Sequence, residues 1–436
     1  MGMDFEKAKA GDAPEEFRKE KMPSVLMVGA AVTQEVMDLL KRVDRTPQEQ
    51  TYRFHWAVIN AMEEASGSMI DIYSTVPTRD FPYTRKLFWG FQRVREASRP
   101  GRAFIIMPFV NLLGLKQITR LISCLWFTFG WILARRKDPS KVIVLYGLLV
   151  SHLYACLFLG FLFRVKVVAI ITDPPTQKQV DENLLYALPR KLDRWLLLKC
   201  LNWLDGIVVL AEATSRLLAP GVPAIVVEAM ISNEVMEFCR SHSEPSLPSS
   251  SDAPFVIMYA GQMDEKLYGL EILLEAFQQL DGPTFALWLF GRGRLAERVS
   301  QAAVDDPRIV YWGFQGPEKV FTSMQKADVM VNARPLDALV TPFSFPSKIL
   351  EYLAMGKLVV SARLPGIPPE YYPHLALLEE MTPQNLAARL REMAVWGPER
   401  KTQMEASARA FAWANKTQLQ QGRRLCAFLE TINHGS

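Results

Sequence analysis

A chain of 436 residues, 49% apolar and 22% charged, is long enough for two domains with sizeable cores and too apolar for a disordered or fibrous protein. Its five cysteines (Cys124, Cys156, Cys200, Cys239, Cys426) and five histidines show no paired or ligand spacing, which argues against a disulfide framework or a structural zinc site. The net charge of +4 hides an imbalance: residues 79–200 carry 20 Lys and Arg against 7 Asp and Glu, whereas residues 1–78 (9 against 13) and 201–436 (21 against 26) are mildly acidic. So basic a middle section needs an anionic partner or a reason to avoid one.

In chain order, residues 1–22 alternate acids and bases and lack the apolar run of a signal peptide, so they read as a mobile extension of a chain kept in a reducing cytoplasm. Strand-like runs then alternate with helical segments: SVLMVGAAV (24–32), MIDIYS (69–74), RAFIIM (102–107), KVIVLY (141–146), VKVVAIITD (165–173) and DGIVVLAE (205–212). Two apolar blocks interrupt them. LISCLWFTFGWILA (121–134), followed by Arg135, Arg136 and Lys137, fits a core helix or a membrane-surface helix equally, since Trp126, Phe127, Phe129 and Trp131 beside three bases suit an anionic interface. VIVLYGLLVSHLYACLFLGFLF (142–163) has the length of a membrane span, but it also reads as a buried strand turning at Gly147 into a buried core helix, at the register a parallel sheet requires.

SHSEPSLPSSSDAP (241–254) is a linker by its Ser and Pro content. After it come FVIMYAG (255–261), LWLFGRG (287–293), RIVYWGF (308–314), ADVMVNA (327–333) and LVVSA (358–362), again with helical segments between. The expected architecture is α/β, with two doubly wound parallel sheets: a domain over 23–240, the linker, a second domain over 255–400, and a helical segment over 401–436 that either pads the second domain or crosses back to the first. Such sheets bind ligands beyond the carboxyl ends of their strands. Residues of interest there are Asp173, Glu212, Glu228, Gly261, the turn from Gly291 to Gly293, and Arg334.

No dinucleotide fingerprint, phosphate-loop GK[ST], G-x-S-x-G elbow or metal-binding His pair is present, which disfavours hydride transfer, ATP hydrolysis and the simplest hydrolases. The Gly291–Gly293 pair alone also suits a tight strand-to-helix turn. FSFPSKILEYLAMGKLVV (343–360) carries more. Ser344 reads as an N-cap, Pro346 as part of the first turn and Gly356 as the stop, with Ser347, Lys348 and Glu351 together near the start. Amides and a lysine at a helix start suit a diphosphate, and a carboxylate one turn on can grip two vicinal hydroxyls of a ribose. A Glu in an early turn is also an ordinary dipole partner.

The segment resembles the SFPSK-x-x-EYLA-x-G-K-x-V-V signature of retaining GT-B glycosyltransferases, in the bacterial branch that builds capsular and exopolysaccharides. VNARP, MYAGQMDEKLYGLEILLEAF, AIITDPP, VVLAE and VVEAM are similar to further pieces of that family, in order, over about residues 166–362. The resemblance implies a GT-B fold of two Rossmann-like domains facing a cleft. It implies transfer of a sugar from a nucleotide diphosphate sugar, UDP or GDP, to a lipid-linked or oligosaccharide acceptor, with retention, no cofactor and no metal. Glu351 would bind the ribose, Ser347 and Lys348 the diphosphate, Gly261 and Gly291 would let backbone approach it, and Lys266 or Arg334 would offset leaving-group charge. Asp173 would face the cleft from the first domain. Departures from the family are Phe343 in place of a sugar-binding glutamate, with Asp337 or a backbone amide taking over; Gln262 in place of an arginine; and Ala211 in place of a threonine. The expected setting is cytoplasmic, peripheral on an anionic membrane face, with no nucleic acid. The alternative is a non-catalytic nucleotide-sugar binder within a polysaccharide assembly complex.

Overall fold

The computed structural model describes residues 22–43, 49–94, 102–172, 192, 194–242, 253–264, 268–281, 284–336 and 341–435. Ten strands lie before residue 230: β1 (Ser24–Gly29), β2 (Asp71–Ser74), β3 (Phe88–Trp89), β4 (Gln92–Val94), β5 (Phe104–Ile106), β6 (Phe109–Val110), β7 (Lys141–Tyr146), β8 (Lys166–Ile171), β9 (Gly206–Val209) and β10 (Ala224–Val226). Eight of them form one sheet in the order β10-β9-β8-β7-β1-β2-β5-β4, parallel except for β4 against β5, and β3 pairs with β6 in a small ribbon. The strand β7 shows why its run is apolar throughout. Val142, Val144 and Tyr146 join the core on one face, while Ile143 and Leu145 join the core on the other. A parallel strand covered on both faces has no side free for polar residues.

The second sheet is wholly parallel: β11 (Phe255–Gln262), β12 (Phe285–Arg292), β13 (Ile309–Gly313), β14 (Val329–Asn332), β15 (Leu358–Ala362) and β16 (Ala376–Leu378), in the order β13-β12-β11-β14-β15-β16. In each sheet the winding reverses once, between β1 and β7 in the first and between β11 and β14 in the second. These switch points leave a crevice at the carboxyl ends of the strands, the usual ligand position in doubly wound sheets. The short strands β3, β4, β6 and β16 were not expected, because two or three residues are too few for a period to register.

The helix Pro398–Asn415 stays on the second domain, where Trp413 Nε1 donates to Ala354 O at 2.9 Å. The helix Gln418–His434 then lies on the first domain, against the helix Glu49–Ser66 and the strands β7 and β8. A Cβ on Gly422 would stand 1.9 Å from Ala61 O, so only glycine permits this backbone approach. Leu425, Leu429 and Ile432 complete the first domain's core.

The two apolar blocks are placed differently from a simple core reading. Residues 142–146 are the strand β7, paired on both sides, so a span over 142–163 does not exist in this fold. The helix Val150–Phe163 buries His152, Leu153, Cys156 and Leu159, but leaves Phe158, Phe161 and Leu162 exposed. The helix Leu115–Ala134 is long and apolar enough to cross a membrane by length and composition, yet it lies along the first domain. Its Trp131 is buried, with Nε1 donating to Asp71 at 2.7 Å, while Trp126 and Phe129 face outward.

Candidate functional site at the second switch point

The exit of β11 is held by three tyrosines. Tyr352 donates to Ala260 O at 3.0 Å, Tyr259 to Gln262 O at 2.6 Å, and Tyr268 to the Gln262 side chain at 2.5 Å. Burial pushes the Tyr259 phenol up, and Tyr268 in the same direction, so both are neutral donors at ordinary pH. Gly261 faces Gly291 across the β11–β12 ladder. Gly291 has φ +147°, and a Cβ there would lie 1.9 Å from Gly261 O; Gly293 has φ +155°, and its Cβ would lie 2.4 Å from Met263 C. The glycine pair is thus required by two loops pressed backbone to backbone, and Met263 N donating to Arg292 O at 3.0 Å closes the same contact.

Arg334 leaves the end of β14 beside this exit. It is 7% exposed, and its Nη1 reaches Ser344 O and Ser344 Oγ, each at 3.3 Å. Its guanidinium lies 5.9 Å from the centre of the Tyr268 ring. The buried Nε has no hydrogen-bond partner, and no carboxylate pairs with this side chain among the described residues. Desolvation accordingly pushes Arg334 below the usual arginine range. A buried cation served only by neutral groups is an incomplete arrangement that an anion would complete.

The motif helix runs Lys348–Ala354, shorter at its start than its sequence suggests. Ser347, in helical conformation and without a side-chain cap bond, takes the N-cap position; Ser344 is not the cap but the Arg334 partner, and Pro346 lies before the helix. Ile349 N and Leu350 N already donate to Pro346 O and Ser347 O at 2.9 and 3.1 Å, so the tightened first turn leaves fewer free amides than a regular helix start. Lys348 Nζ and Glu351 Oε2 form an ion pair at 2.7 Å. The two residues that the resemblance assigns to diphosphate and ribose therefore neutralise each other in this structure. Gly356, at φ +69°, ends the helix as expected. Phe343 is half-buried in the 3-10 turn Thr341–Phe343, which touches the helix Glu212–Leu218 of the first domain.

Asp173, Lys266 and Asp337 lie outside the described residues. Glu228 is not a cleft residue: it is buried, accepts from Tyr371 at 2.6 Å and pairs with Lys416. Glu212 is exposed and pairs with Arg216 at 2.6 Å. Sequence reasoning attached no role to Tyr259 or Tyr268 and only a capping role to Ser344, although all three stand within segments quoted for the resemblance; their hydroxyls become informative only once Gln262 and Arg334 are placed. In the first domain, Thr75 Oγ1 and His152 Nε2 meet at 3.3 Å above the ends of β2 and β7. Among the described residues no group of three or more His, Cys, Asp or Glu side chains could hold a metal ion.

The fold has the GT-B architecture. The chain superposes on sucrose-phosphate synthase from Thermosynechococcus elongatus with a TM-score of 0.61 and 13% identity, over 95% of this chain and 100% of that one. It also superposes on the apo lipopolysaccharide outer core galactosyltransferase WaaB (TM-score 0.59, 12% identity, 94% of this chain and 99% of that one). The same holds for Anabaena HepE in complex with UDP (TM-score 0.57, 12% identity, 94% and 100%). Within that architecture, residues 254–394, which contain the whole site above, match the family model of group 1 glycosyl transferases. No curated protein matches the chain.

Proposed function

We propose that the protein transfers a sugar from a nucleoside diphosphate sugar, with UDP or GDP as the nucleotide, to a hydroxyl of a lipid-linked glycan in surface polysaccharide synthesis, retaining the anomeric configuration and using no metal. The observation that carries this reading is Arg334, a buried guanidinium with an unpartnered Nε at the switch point of a domain that matches group 1 glycosyl transferases. A diphosphate is the anion that such a crevice suits. Structures of Anabaena HepE with UDP and with UDP-glucose support the choice of ligand class.

In the reaction the bond from the sugar's anomeric carbon to the diphosphate breaks, a bond to the acceptor oxygen forms, and the acceptor proton passes to the departing diphosphate. Charge grows on the departing diphosphate. Arg334 and Lys348 are the cations placed to stabilise it, and they do so most strongly when closure of the cleft removes water. Glu351, released from Lys348, accepts from the two ribose hydroxyls. Arg334 supplies the guanidinium that the family resemblance places at Gln262, and Tyr268 links the two positions.

Thermal melting with UDP, GDP and their sugars tests the site. A nucleotide at a hundred times its Kd stabilises the folded chain by about 2.7 kcal/mol. Glu351→Ala and Arg334→Met each remove most of that gain, and an undiminished shift in Glu351→Ala would break the ribose assignment. Phe343, standing where the resemblance puts a sugar-binding glutamate, favours a second reading as a non-catalytic nucleotide-sugar binder. Tight nucleotide binding with neither transfer nor hydrolysis over a broad acceptor mixture selects that reading.

A further inference from the structure

The helix Leu115–Ala134 leaves a second apolar face turned to solvent. Its exposed residues include Leu115, Ile118, Ile122, Trp126, Phe129 and Leu133, a stripe at helical spacing, with Trp126 74% exposed. Its inner face ends on the buried Trp131 and Ile132 but begins polar: Lys116 pairs with Asp80 at 2.7 Å, Arg120 donates to Val76 O at 2.8 Å, and Ser123 donates to Pro108 O at 2.5 Å. Those bonds fix the orientation, so the apolar stripe cannot roll inward. Beside it the helix Val150–Phe163 continues the surface with Phe158, Leu162 and Phe161, the last 88% exposed. Contacts of Cys124 with Cys156 and of Phe129 with Phe163 show that the two helices run parallel, so their carboxyl ends lie side by side. Arg136, Lys137 and Arg164 are all exposed at this shared carboxyl end.

Arg164 has φ +53°, the one left-handed non-glycine among the described residues, and none of the described residues pairs with its side chain. Glycine is the usual residue in this conformation at a helix end, so an arginine here is locally strained. It borders a groove of about 910 Å³ between Phe158, Phe161, Val165 and Trp203. Of the 25 large apolar side chains exposed among the described residues, 21 lie between Met69 and Leu217, so the surface belongs to the first domain alone.

We infer that this surface seats the protein on an anionic lipid bilayer, with Trp126 and Phe161 entering the acyl region and Arg136, Lys137 and Arg164 meeting lipid phosphates. The charge chooses the occupant. A second copy docked with its helices aligned would set these bases against their own images, and one docked antiparallel would leave them without a partner, whereas an anionic leaflet opposes them with the complementary sign. The geometry also orients the molecule: the helix Leu115–Ala134 starts where β5 and β6 end, at the cleft side, and extends about 30 Å along the flank. Only the use of this orientation, presenting the cleft to a lipid-linked acceptor, rests on the transferase reading. The surface stands on exposure and charge.

Vesicle flotation of the full chain tests it. Recovery with phosphatidylcholine vesicles containing phosphatidylglycerol should exceed recovery with phosphatidylcholine alone by about tenfold or more. Trp126→Ser with Phe161→Ser should bring it to the neutral-vesicle level and leave the melting temperature unchanged, since both side chains already face solvent. Arg164→Gln should lower it, and Val304→Ser, exposed on the second domain, should not. Equal recovery on both vesicle types, or full recovery of the double variant, overturns the inference. So does a dimer in light scattering that the double variant dissolves, which would make a second copy the occupant. Nucleotide-induced stabilisation, read separately, is unaffected by the outcome and judges the transferase reading.

Discussion

His55 lies flat against Tyr146, ring centroids 3.7 Å apart and planes within 3°, with both ring nitrogens unpartnered among the described residues. Burial lowers its pKa to about 3; burial, and then the charge of Arg120, lower that of His152 to about 3 as well. Both rings are thus neutral when folded and charge near 6.5 when unfolded, so the unfolded chain binds more protons at acid pH. Stability is full above about 6.5 and falls as pH drops from there toward 3, by about 1.4 kcal/mol per pH unit for each ring. Melting curves from pH 7 to pH 5 should show that loss, and His55→Phe should flatten it. A slope unchanged in His55→Phe means that the ring does not titrate as described. At this scale the motif residues Lys348 and Glu351 were legible from their types and spacing. Their mutual ion pair and the orphaned Nε of Arg334 were not, because pairing and burial depend on which chain segments meet.

At the scale of elements, long parallel strands announce themselves. KVIVLY and LVVSA were read with their observed bounds, since a strand buried on both faces is an unbroken apolar run. The start of the motif helix was misplaced because Ser344 has a good capping side chain, but that group is taken by Arg334. The G-R-G turn, ambiguous in sequence, is explained by contact: its glycines admit the backbone of the β11 exit. Gly291→Ala should therefore cost more than about 1 kcal/mol and weaken nucleotide binding as the β11 exit shifts. Gly316→Ala, with nothing within 4 Å of the added methyl, should be silent in nucleotide titration and should cost only the loss of a glycine N-cap in denaturant unfolding. Equal effects at the two positions contradict the close-approach argument.

For the whole molecule the decisive cluster is Lys416. Its ammonium reaches Glu228 of the first domain at 2.5 Å and also Glu370 of the second, with the Lys416 and Glu228 side chains 2% and 1% exposed. Tyr371 donates to Glu228, and Ile231 N donates to Lys416 O at 2.9 Å, so both domains converge on one residue between the last two helices. Lys416→Met leaves a buried carboxylate without its cation and should cost about 3–5 kcal/mol; adding Glu228→Gln should return most of it in the same denaturant titration. If the double variant is no better than the single, the loss is one of packing instead. Local pattern was enough for what repeats along the chain: the alternating strands and helices of two parallel sheets. Periodicity and residue type are properties of neighbouring positions. What they could not convey was which apolar helix faces outward, which carboxylate serves the junction rather than the cleft, and which arginine lacks a partner. Each of these depends on side chains brought together from distant segments, through burial and charge pairing that exist only after the chain has folded.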